Sequence, residues 1–445
     1  MSDDRLLHPD FKDTPYWWEA AAPTDRGDAD PPEHADVLIV GGGYAGLSAA
    51  LELARGGRTV VVAEAEFFGH GASSRNGGGV SAGVNLGKGI AGGSSKAGSE
   101  NEIVRRLDGL MRESRNAFDM VGTLVEREKI DCHYEQRGRL VGAYTPKHFA
   151  GFAAKAENLN RNCDAGARLL PRARLREEMA SDFYYGGMTI ERAAKIHPSL
   201  YHKGLMDACR RAGVQLCANT KVLDVAGGRG GFTVTTSKGQ VRCAETMIAT
   251  NGYTGPLTPD LRKGLVPATS HIIVTEELPE ELTRSLIPNG RTISETPRVL
   301  CYYRMTPDGK RVMFGGRARF TDVDPKLRAR LMHKMMTERF PQLKDARVTH
   351  SWTGYVAFTY DFLPHLGTYR DMHYCLGCNG SGVAMMTYLG YLVARRILQN
   401  GELDSPFVGL DLPKVPMPGY TGNPWFLPAI GGWYRFLDRM DRLRA

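Results

Sequence analysis

Residues 36–64 combine a glycine spacing and an acid that together suit the binding of a diphosphate. An apolar strand leads into Gly41-x-Gly43-x-x-Gly46, a helix opens there, and a second apolar strand ends just before Glu64. The glycines permit a tight turn, a close approach of the backbone to a pyrophosphate and close packing of the helix on the strand. The helix N-terminus adds free N–H groups and a partial positive charge, and an acid at this distance binds a ribose hydroxyl. The segment therefore predicts a dinucleotide-binding βαβ unit.

Two further glycine-rich segments bring polar groups that could reach the same ligand. Residues 71–78 read Gly-Ala-Ser-Ser-Arg-Asn-Gly-Gly and follow the βαβ unit closely, so hydroxyl, guanidinium and amide groups come near its ligand. Residues 377–382 read Gly-Cys-Asn-Gly-Ser-Gly and precede a helix whose N-terminal end would favour negative charge. A connecting loop or an ordinary turn would be rich in glycine as well.

Hydrophobic periodicity indicates the elements that would position these segments. Residues 1–35 contain several prolines and predict an extended arm that is pinned by its aromatic residues. Residues 214–218 and 220–225 are interpreted as a hairpin or a strand pair. Helices are expected over residues 97–128, 146–163, 200–212 and 383–398, and strands near 138–144, 232–236, 240–242, 245–252, 271–275, 299–305, 312–316 and 372–376.

The patterns predict an α/β fold whose nucleotide-binding domain is discontinuous, because its first and last glycine motifs lie at opposite ends of the chain. The expected parts are an N-terminal arm (1–35), a nucleotide-binding domain (36–96, 190–255 and 350–400), a substrate domain with its own sheet (97–189 and 256–349) and a C-terminal tail (401–445).

The composition is that of an ordinary folded protein. Of the 445 residues, 42% are hydrophobic and 24% are charged, which argues against disorder. The formal charge of +8 is spread among acids along the chain, so it indicates attraction for small anionic ligands and no nucleic-acid partner. No apolar run approaches the ~20 residues that cross a bilayer, and the first residues lack the apolar core of a secretion signal. We therefore expect a cytoplasmic protein.

The eight cysteines show neither a disulfide framework nor metal-ligand spacing, so no metal site is predicted. Cys375 and Cys378 have the spacing of a redox dithiol, but they lie where an apolar strand runs into a glycine turn. Buried structural thiols are therefore favoured over a working dithiol.

Together, these motifs resemble those of the D-amino acid oxidase superfamily of FAD-dependent flavoproteins. Ala249-Thr-Asn-Gly252, Ile196-His-Pro198 and Trp352-Thr-Gly354 support the likeness, which runs from about residue 15 into the C-terminal tail. Within the superfamily the chain is most similar to the gamma-glutamylputrescine oxidoreductase branch. The resemblance implies a Rossmann-like FAD-binding domain and a second, mixed-sheet α+β domain for the substrate.

The resemblance also implies which residues hold FAD. Related sequences usually carry a histidine where this chain has Ser381, and a hydroxyl neither carries a positive charge nor titrates near neutral pH. Relatives that attach the flavin through cysteine carry it just before the position of Asp361, and residues 354–360 contain none. FAD is therefore expected to be bound noncovalently. The implied cofactor-binding residues are Gly41, Gly43, Tyr44, Ala45, Gly46, Glu64, Ser73, Ser74, Arg75, Asn76, Gly77, Gly78, Val222, Gly252, Gly377, Asn379, Gly380, Ser381, Gly382 and Val383.

The implied reaction is oxidation of the carbon–nitrogen bond of a small-molecule amine or amino acid by hydride transfer to the flavin. Water would hydrolyse the resulting imine to an aldehyde or keto acid, and oxygen or another acceptor would take the electrons. Tyr302 and Arg319 are further candidates for substrate contact, since an aromatic wall with one inward guanidinium suits an amine that bears a carboxylate at its far end. The candidate catalytic residues are Ser381, His197, Tyr303, Arg304 and Arg317.

Two other classes of enzyme remain open from the sequence. A pyridine-nucleotide dehydrogenase would share the βαβ unit but would not need residues 75–77 or the turn at 377–382. A membrane-associated flavin dehydrogenase that passes electrons to a quinone would use the aromatic and basic tail, residues 425–444, as an interfacial anchor. Packing of that tail against the protein itself is the favoured interpretation, so no membrane partner is expected.

Overall fold

The computed structural model describes residues 3–23, 30–81 and 100–445. Its α-helices are α1 (Asp3–Leu6), α2 (Tyr44–Arg55), α3 (Glu100–Arg127), α4 (Pro146–Ala150), α5 (Phe152–Cys163), α6 (Pro198–Arg211), α7 (Pro259–Lys263), α8 (Glu280–Leu286), α9 (Pro325–Arg339), α10 (Gly382–Leu398) and α11 (Leu427–Leu443). Its strands are β1 (Leu7–Lys12), β2 (His34–Val40), β3 (Val60–Ala63), β4 (Gly79–Ser81), β5 (Arg139–Gly142), β6 (Arg168–Pro171), β7 (Gly186–Ile190), β8 (Ala193–Lys195), β9 (Gln215–Cys217), β10 (Val222–Gly228), β11 (Gly231–Thr236), β12 (Gly239–Ile248), β13 (Leu265–Thr275), β14 (Thr292–Glu295), β15 (Cys301–Met305), β16 (Val312–Gly316), β17 (Val348–Thr359), β18 (His365–Tyr369) and β19 (Met372–Leu376).

An eight-stranded sheet contains the predicted βαβ unit as β2, α2 and β3. Its strands are ordered β10-β11-β12-β2-β3-β9, with β19 paired to β12 and β18 paired to β19. β12, β2, β3 and β9 run parallel, and β2 is buried at Val37, Leu38 and Ile39, as is usual for a parallel strand. The carboxyl ends of β2, β3 and β12 therefore meet at one edge, where ligands bind in sheets of this kind.

Helices from opposite ends of the chain pack against this sheet as one layer. α10 contacts α2, α3 and β19. Gly390 of α10 lies so close to α2 that a Cβ atom there would be 2.1 Å from the carbonyl oxygen of Ala45. The structure thus confirms a Rossmann-like unit that is discontinuous in sequence.

A nine-stranded mixed sheet forms the second layer. Its order is β1-β17-β13-β16-β15-β14-β5-β7-β6, and β13 and β17 form its longest antiparallel pair. α9 packs on one face, where Phe314, Met332 and Met336 join one buried cluster. The opposite face carries Ile272 and Met313, so successive residues of each strand alternate between the helix and the interior of the molecule.

The expected hairpin over residues 214–225 is wrong. β9 pairs with β3 and β10 pairs with β11, so the two strands lie at opposite edges of the eight-stranded sheet. The link between them crosses the end of β3, because the N–H groups of Asn219 and Thr220 donate to the carbonyls of Glu66 and Glu64. The strands expected at 240–242 and 245–252 are instead one strand, β12.

The N-terminal arm is more ordered than an extended segment. β1 pairs in parallel with β17, and Trp17 is fully buried with its indole Nε1 donating to the carbonyl of Asn76 at 2.9 Å. The arm therefore closes over the loop that follows the βαβ unit.

The domain boundaries stay predictions. β17 hydrogen-bonds within the nine-stranded sheet, although the sequence places residues 350–400 in the FAD-binding domain. The boundary expected between residues 96 and 97 lies outside the described residues.

The C-terminal helix α11 packs on the second layer with one face. The Asp438 carboxylate accepts hydrogen bonds from the N–H groups of Arg298 and Val299 at 3.1 and 3.0 Å, while Trp433 and Phe436 are exposed and stack on each other. Within the described ranges, no helix is long and apolar enough to cross a membrane.

Candidate cofactor and substrate site

Both sheets contribute to the lining of a cavity of about 740 Å³, a volume in the usual range for small-molecule sites. The N-terminus of α2, the ends of β3 and β12, the N-terminus of α10 and the inner face of the nine-stranded sheet all reach it. Of the residues predicted to hold FAD, the structure brings these to the cavity: Gly41, Gly43, Tyr44, Ala45, Glu64, Ser73, Arg75, Asn76, Gly77, Val222, Gly252, Gly380, Ser381, Gly382 and Val383.

The turn Gly41–Gly43 before α2, here called the glycine cradle, fits a diphosphate. Gly41 has φ +109°, and a Cβ atom on Gly42 would lie 2.2 Å from the Phe68 ring, so side chains are excluded where the backbone must approach a ligand. The Ser73 hydroxyl accepts a hydrogen bond from Tyr44 N–H at 3.1 Å. The next amide group, that of Ala45, has no i−4 partner within the helix, and Ala45 lines the cavity, as an anion site requires.

Gly46 does not line the cavity but packs against the turn. A Cβ atom at Gly46 would lie 2.0 Å from the carbonyl oxygen of Gly41. Its role is the close contact between helix and strand that the third glycine of the motif provides.

Glu64 lies at the end of β3 with its carboxylate directed to the cradle. One oxygen accepts from Gly42 N–H at 2.8 Å and the other from Glu66 N–H at 3.2 Å. Burial raises the pKa of Glu64. A carboxylate has further lone pairs, so a ribose hydroxyl can still donate to it.

His202 is a cradle residue that sequence analysis did not single out. Its Nε2 lies 2.8 Å from the carbonyl oxygen of Gly42, and burial lowers its pKa to about 4, so the ring is neutral. Because a carbonyl only accepts, Nε2 carries the proton. His202 lies far from the motif in sequence, on α6, and no local pattern marks it.

The loop over residues 71–78 brings Arg75 and Asn76 to the cavity. The Arg75 guanidinium donates to the carbonyls of His70 and Thr353 at 2.6 and 3.4 Å, and burial lowers its pKa. The Asn76 side chain accepts from Gly78 N–H at 2.8 Å. These bonds fix the loop while leaving its cavity side open to a ligand.

Ser74 and Gly78 support this loop from behind and do not line the cavity. The buried Ser74 hydroxyl donates to the carbonyl of Gly69 and accepts from Trp18 Nε1 at 2.9 Å. Gly78 has φ +72°, and a Cβ atom there would lie 2.3 Å from the carbonyl oxygen of Ile196.

The turn before α10 presents free amides to the cavity. Ser381 is the N-cap residue but makes no capping hydrogen bond with its side chain, so the first amides of α10 stay available. Gly377 and Asn379 lie behind the turn. Gly377 N–H donates to the Asn251 side chain at 3.0 Å, and the Asn379 amide donates to the carbonyl of Gly377 at 2.8 Å.

Tyr303 contributes to the cavity lining, but its side chain extends from β15 into the buried cluster under α9. Its hydroxyl lies 2.9 Å from that of Tyr184 within the cluster under α9. The neighbouring Tyr302 faces the cavity, with its hydroxyl 3.0 Å from Ser270 Oγ. The sequence could not decide which of two adjacent tyrosines points inward.

His197 does not line the cavity. Its Nδ1 accepts from Leu200 N–H at 3.2 Å and caps α6, and its ring centroid is 4.9 Å from that of Trp17. Burial, followed by the charges of His133 and Arg304, lowers its pKa to about 4. His197 is therefore a neutral structural histidine.

Arg304 and Arg317 both line the cavity, with different surroundings. Arg304 is buried and donates to the carbonyls of Ile196 at 2.8 Å and Met305 at 3.1 Å. The Arg317 guanidinium lies 4.6 Å from the centroid of the Phe358 ring, and it forms no ion pair with any residue in the described ranges. Burial lowers the pKa of both. Arg304 braces the backbone, whereas Arg317 is free to meet an anion.

The cysteines are structural. All eight lie in the described part of the chain, where they are buried and form no disulfide, and burial raises the pKa of Cys375 to about 12. A thiol of this kind is a poor nucleophile, which supports the interpretation made from the sequence.

Comparisons with known proteins agree with this geometry. The chain is 33% identical to the gamma-glutamylputrescine oxidoreductase of Escherichia coli (strain K12), across 91% of this chain and 93% of that protein. It is 31% identical to the probable oxidoreductase OrdL of Haemophilus influenzae, across 92% and 93%. Glycine oxidase from Geobacillus kaustophilus superposes with a TM-score of 0.70 at 21% identity, over 86% of this chain and all of that one. L-proline dehydrogenase from P. horikoshii superposes with a TM-score of 0.68 at 18% identity, over 89% and 98%.

The family model described as FAD dependent oxidoreductase, DAO, matches residues 36–396. The match extends from the cradle at β2 through the nine-stranded sheet to the end of α10, and so includes each element that lines the cavity. The resemblance seen in the sequence is confirmed, FAD is the cofactor of the family, and the chain belongs to the DAO family of FAD-dependent oxidoreductases.

Proposed function

We propose that this protein oxidises the carbon–nitrogen bond of an amine or amino acid with FAD bound noncovalently. The observation that carries the proposal is that three features meet in one cavity. They are the glycine cradle, the free N-terminus of α10, and the face of the nine-stranded sheet that carries Arg304 and Arg317. The named activity of the Escherichia coli relative supports an amine substrate similar to gamma-glutamylputrescine.

The residues present fit the cofactor. The cradle of Gly41–Gly43 and the amides of α2 would hold the diphosphate, Glu64 a ribose hydroxyl and Val222 the adenine. When bound, FAD supplies the acceptor for a hydride from the carbon next to the amine nitrogen. The absence of cysteine from residues 354–360 supports noncovalent binding.

The protein's own contribution is electrostatic and steric. The amides that open α10, at Gly382 and Val383, would favour negative charge on the ligand edge that faces them. Ser381 stays neutral over the pH range in which a histidine would titrate, so the proposal assigns it no proton transfer. With FAD and substrate filling the cavity, water would be displaced and the unprotonated amine favoured, and the lone pair of that amine would assist the departure of the hydride.

On the substrate side we assign contact to Tyr302 and Arg317. Arg304 positions the loop around Gly78, since its bonds go to backbone carbonyls. The product imine would be hydrolysed by water to an aldehyde or keto acid, and oxygen or another acceptor would reoxidise the enzyme.

Anaerobic reduction of the bound flavin tests this function. The holoenzyme is mixed with gamma-glutamylated polyamines, sarcosine, pipecolate and D-amino acids, and the flavin absorption is followed. Bleaching by one of these classes is expected, and admission of air then separates an oxidase, which recovers its colour fast with peroxide, from a dehydrogenase. No bleaching with any compound would contradict amine oxidation.

A second candidate is a membrane-associated dehydrogenase that passes electrons to a quinone. The exposed aromatic residues of α11, Trp433 and Phe436, are the observation that favours it. Co-flotation of the protein with anionic liposomes, together with flavin reoxidation by a soluble quinone faster than by oxygen, would support this reading. A protein that stays at the bottom of the gradient would speak against it.

A further inference from the structure

Three tryptophan side chains converge on the loop that follows the βαβ unit, and the function above does not use them. Each donates its indole N–H to a different one of three successive loop residues. The pairs are Trp18 with the Ser74 hydroxyl at 2.9 Å, Trp352 with the Arg75 carbonyl at 2.8 Å and Trp17 with the Asn76 carbonyl at 2.9 Å. We call these three side chains the indole clamp.

The indole clamp is built on the nine-stranded sheet. β1 of the N-terminal arm pairs in parallel with β17, the strand that carries Trp352. The Glu19 carboxylate lies 3.1 Å from Nε2 of His350 on the same strand. Trp17 and Trp352 are fully buried, and their ring centroids are 6.5 Å apart in an edge-to-face arrangement. The arm and β17 therefore hold the loop from the sheet side.

The hydrogen bond from Trp17 sets the direction of one peptide plane in the loop. In a trans peptide, the C=O and the following N–H point in opposite directions. The Asn76 carbonyl points to Trp17, which does not line the cavity, so the Gly77 N–H points away from Trp17. Gly77 lines the cavity, and its N–H donates to no other residue in the described part of the chain. The Gly77 amide is thus a free donor at the cavity wall.

Trp17 is what keeps this plane from turning over. Within the described ranges, no second donor reaches the Asn76 carbonyl. The glycine at position 77 permits backbone conformations that other residues resist. Without the indole N–H, the carbonyl would lose its partner, and the plane could turn its oxygen toward the cavity. The negative end of the peptide dipole would then face the ligand.

From this arrangement we propose that Trp17 is a positioning residue for the cofactor, because its indole N–H keeps the amide of Gly77 directed at the cavity. A backbone N–H in that direction favours the negative charge that a flavin gains on reduction. The indole clamp thereby raises the midpoint potential of bound FAD, and the N-terminal arm helps to set that potential. The inference rests on FAD binding and is independent of which amine is oxidised.

The test measures the midpoint potential of FAD bound to Trp17→Phe by anaerobic equilibration with a reference dye. Phenylalanine keeps an aromatic ring in the buried site but has no N–H to donate. We expect reduced FAD to lose about tenfold more affinity than oxidised FAD, which lowers the potential of a two-electron couple by about 30 mV. An unchanged potential would overturn the inference.

Two matched variants separate the direction of the amide from general loosening of the loop. Trp18→Phe removes an N–H from the same clamp, but its acceptor is a side-chain hydroxyl and no peptide carbonyl. The potential should therefore stay at the wild-type value in Trp18→Phe. Trp433→Phe changes an exposed ring and should also leave the potential unchanged. An equal fall in Trp17→Phe and Trp18→Phe would contradict the role given to Trp17.

A measurement on the unmodified holoenzyme keeps the test decisive if Trp17→Phe does not fold. With ¹⁵N in the indole rings, each of the five tryptophans gives one N–H signal in the NMR spectrum, assigned through single Trp→Phe variants of the other positions. Exchange of the Trp17 signal with D₂O should be about a hundredfold slower than that of Trp433, which is exposed.

Removal of FAD should speed exchange at Trp17 but not at Trp433, because a coupling between the clamp and the cofactor acts in both directions. Exchange at Trp17 that is as fast as at Trp433, or that does not respond to FAD, would overturn the inference.

Discussion

At the scale of single residues, His202 shows how a neutral ring can hold the backbone that a cofactor must approach. His202→Phe keeps an aromatic ring but leaves the carbonyl of Gly42 without its donor, at a cost of about 1–3 kcal/mol. Because that carbonyl belongs to the cradle, we expect the Kd of FAD to rise about tenfold. Equilibrium dialysis of the holoenzyme against free FAD measures it.

His333 offers a matched control for His202. Its Nε2 lies 3.1 Å from the carbonyl oxygen of Ala346, on α9 and away from the cavity. His333→Phe should lower thermal stability by a similar amount while the Kd of FAD stays unchanged. An unchanged Kd in His202→Phe would show that this ring does not support the cradle.

Tyr302 and Tyr303 give a second residue-scale prediction. Tyr302→Phe removes a hydroxyl at the cavity and should change the KM of the amine several-fold with little loss of stability. Tyr303→Phe breaks the contact with Tyr184 on the buried side, which should cost about 1 kcal/mol of stability and leave the kinetics unchanged. Steady-state kinetics and thermal unfolding of both variants test these two expectations. A change of KM in Tyr303→Phe together with a loss of stability in Tyr302→Phe would contradict the strand orientation.

These residues also show what the sequence could and could not predict about the site. The glycine cradle and the turn before α10 were predictable, because a local spacing encodes each backbone conformation. His202 was not, since its partner Gly42 is distant in sequence and only the packing of α6 brings the two together. The sequence also could not separate Tyr302 from Tyr303, because it shows that the residues of a strand alternate between two faces but not which of them faces the cavity.

At the scale of elements, the contact between α2 and α10 determines whether the cradle and the last glycine turn face the same cavity. Gly390→Ala would put a Cβ atom 2.1 Å from the carbonyl oxygen of Ala45, so the helices must separate. We expect a loss of about 1–3 kcal/mol in stability, as for overpacked cores, together with faster release of FAD. Thermal unfolding and flavin fluorescence measure the two effects.

Gly432 on α11 is the matched control for Gly390. A Cβ atom there meets nothing within 4 Å, and alanine favours a helix over glycine by up to about 1 kcal/mol. Gly432→Ala should therefore be neutral or slightly stabilising. Equal losses in both variants would point to a cause other than the tight contact between the helices.

Elements with strong periodicity were predictable, whereas their pairing was not. α2, α3 and α10 appear where the apolar spacing indicated helices. The hairpin expected over residues 214–225 was wrong. Two strands that follow each other in sequence pair only when a turn reverses the chain direction between them. Here the backbone hydrogen bonds of Asn219 and Thr220 lead the chain across the end of β3 instead.

At the scale of the whole molecule, buried neutral histidines couple folding to pH. Burial lowers the pKa of His202, His271 and His350 from 6.5 to about 4. The unfolded chain therefore binds more protons than the folded one between pH 6.5 and pH 4. Stability is full above pH 6.5 and falls as pH drops through this window, by up to about 1.4 kcal/mol per pH unit for each histidine.

Replacing one of these histidines tests the coupling. His271→Gln should make the dependence of the unfolding free energy on pH shallower by up to about 1.4 kcal/mol per pH unit, measured by urea unfolding across the window. His34→Gln replaces an exposed ring that stays in water on folding, and its slope should match the wild type. An unchanged slope in His271→Gln would mean that His271 binds protons equally in the folded and the unfolded protein.

The close contact between α2 and α10 has a consequence for biosynthesis. A ribosome releases Gly41 early and Gly390 late, and β2 gains its neighbour β12 only after two hundred further residues have emerged. Proteins tend to fold their N-terminal parts first during translation, yet here β2 and α2 have only β3 to pack on early, and their contact with α10 forms late. A fragment that ends before α10 lacks one side of the cavity, so we expect it to retain FAD poorly.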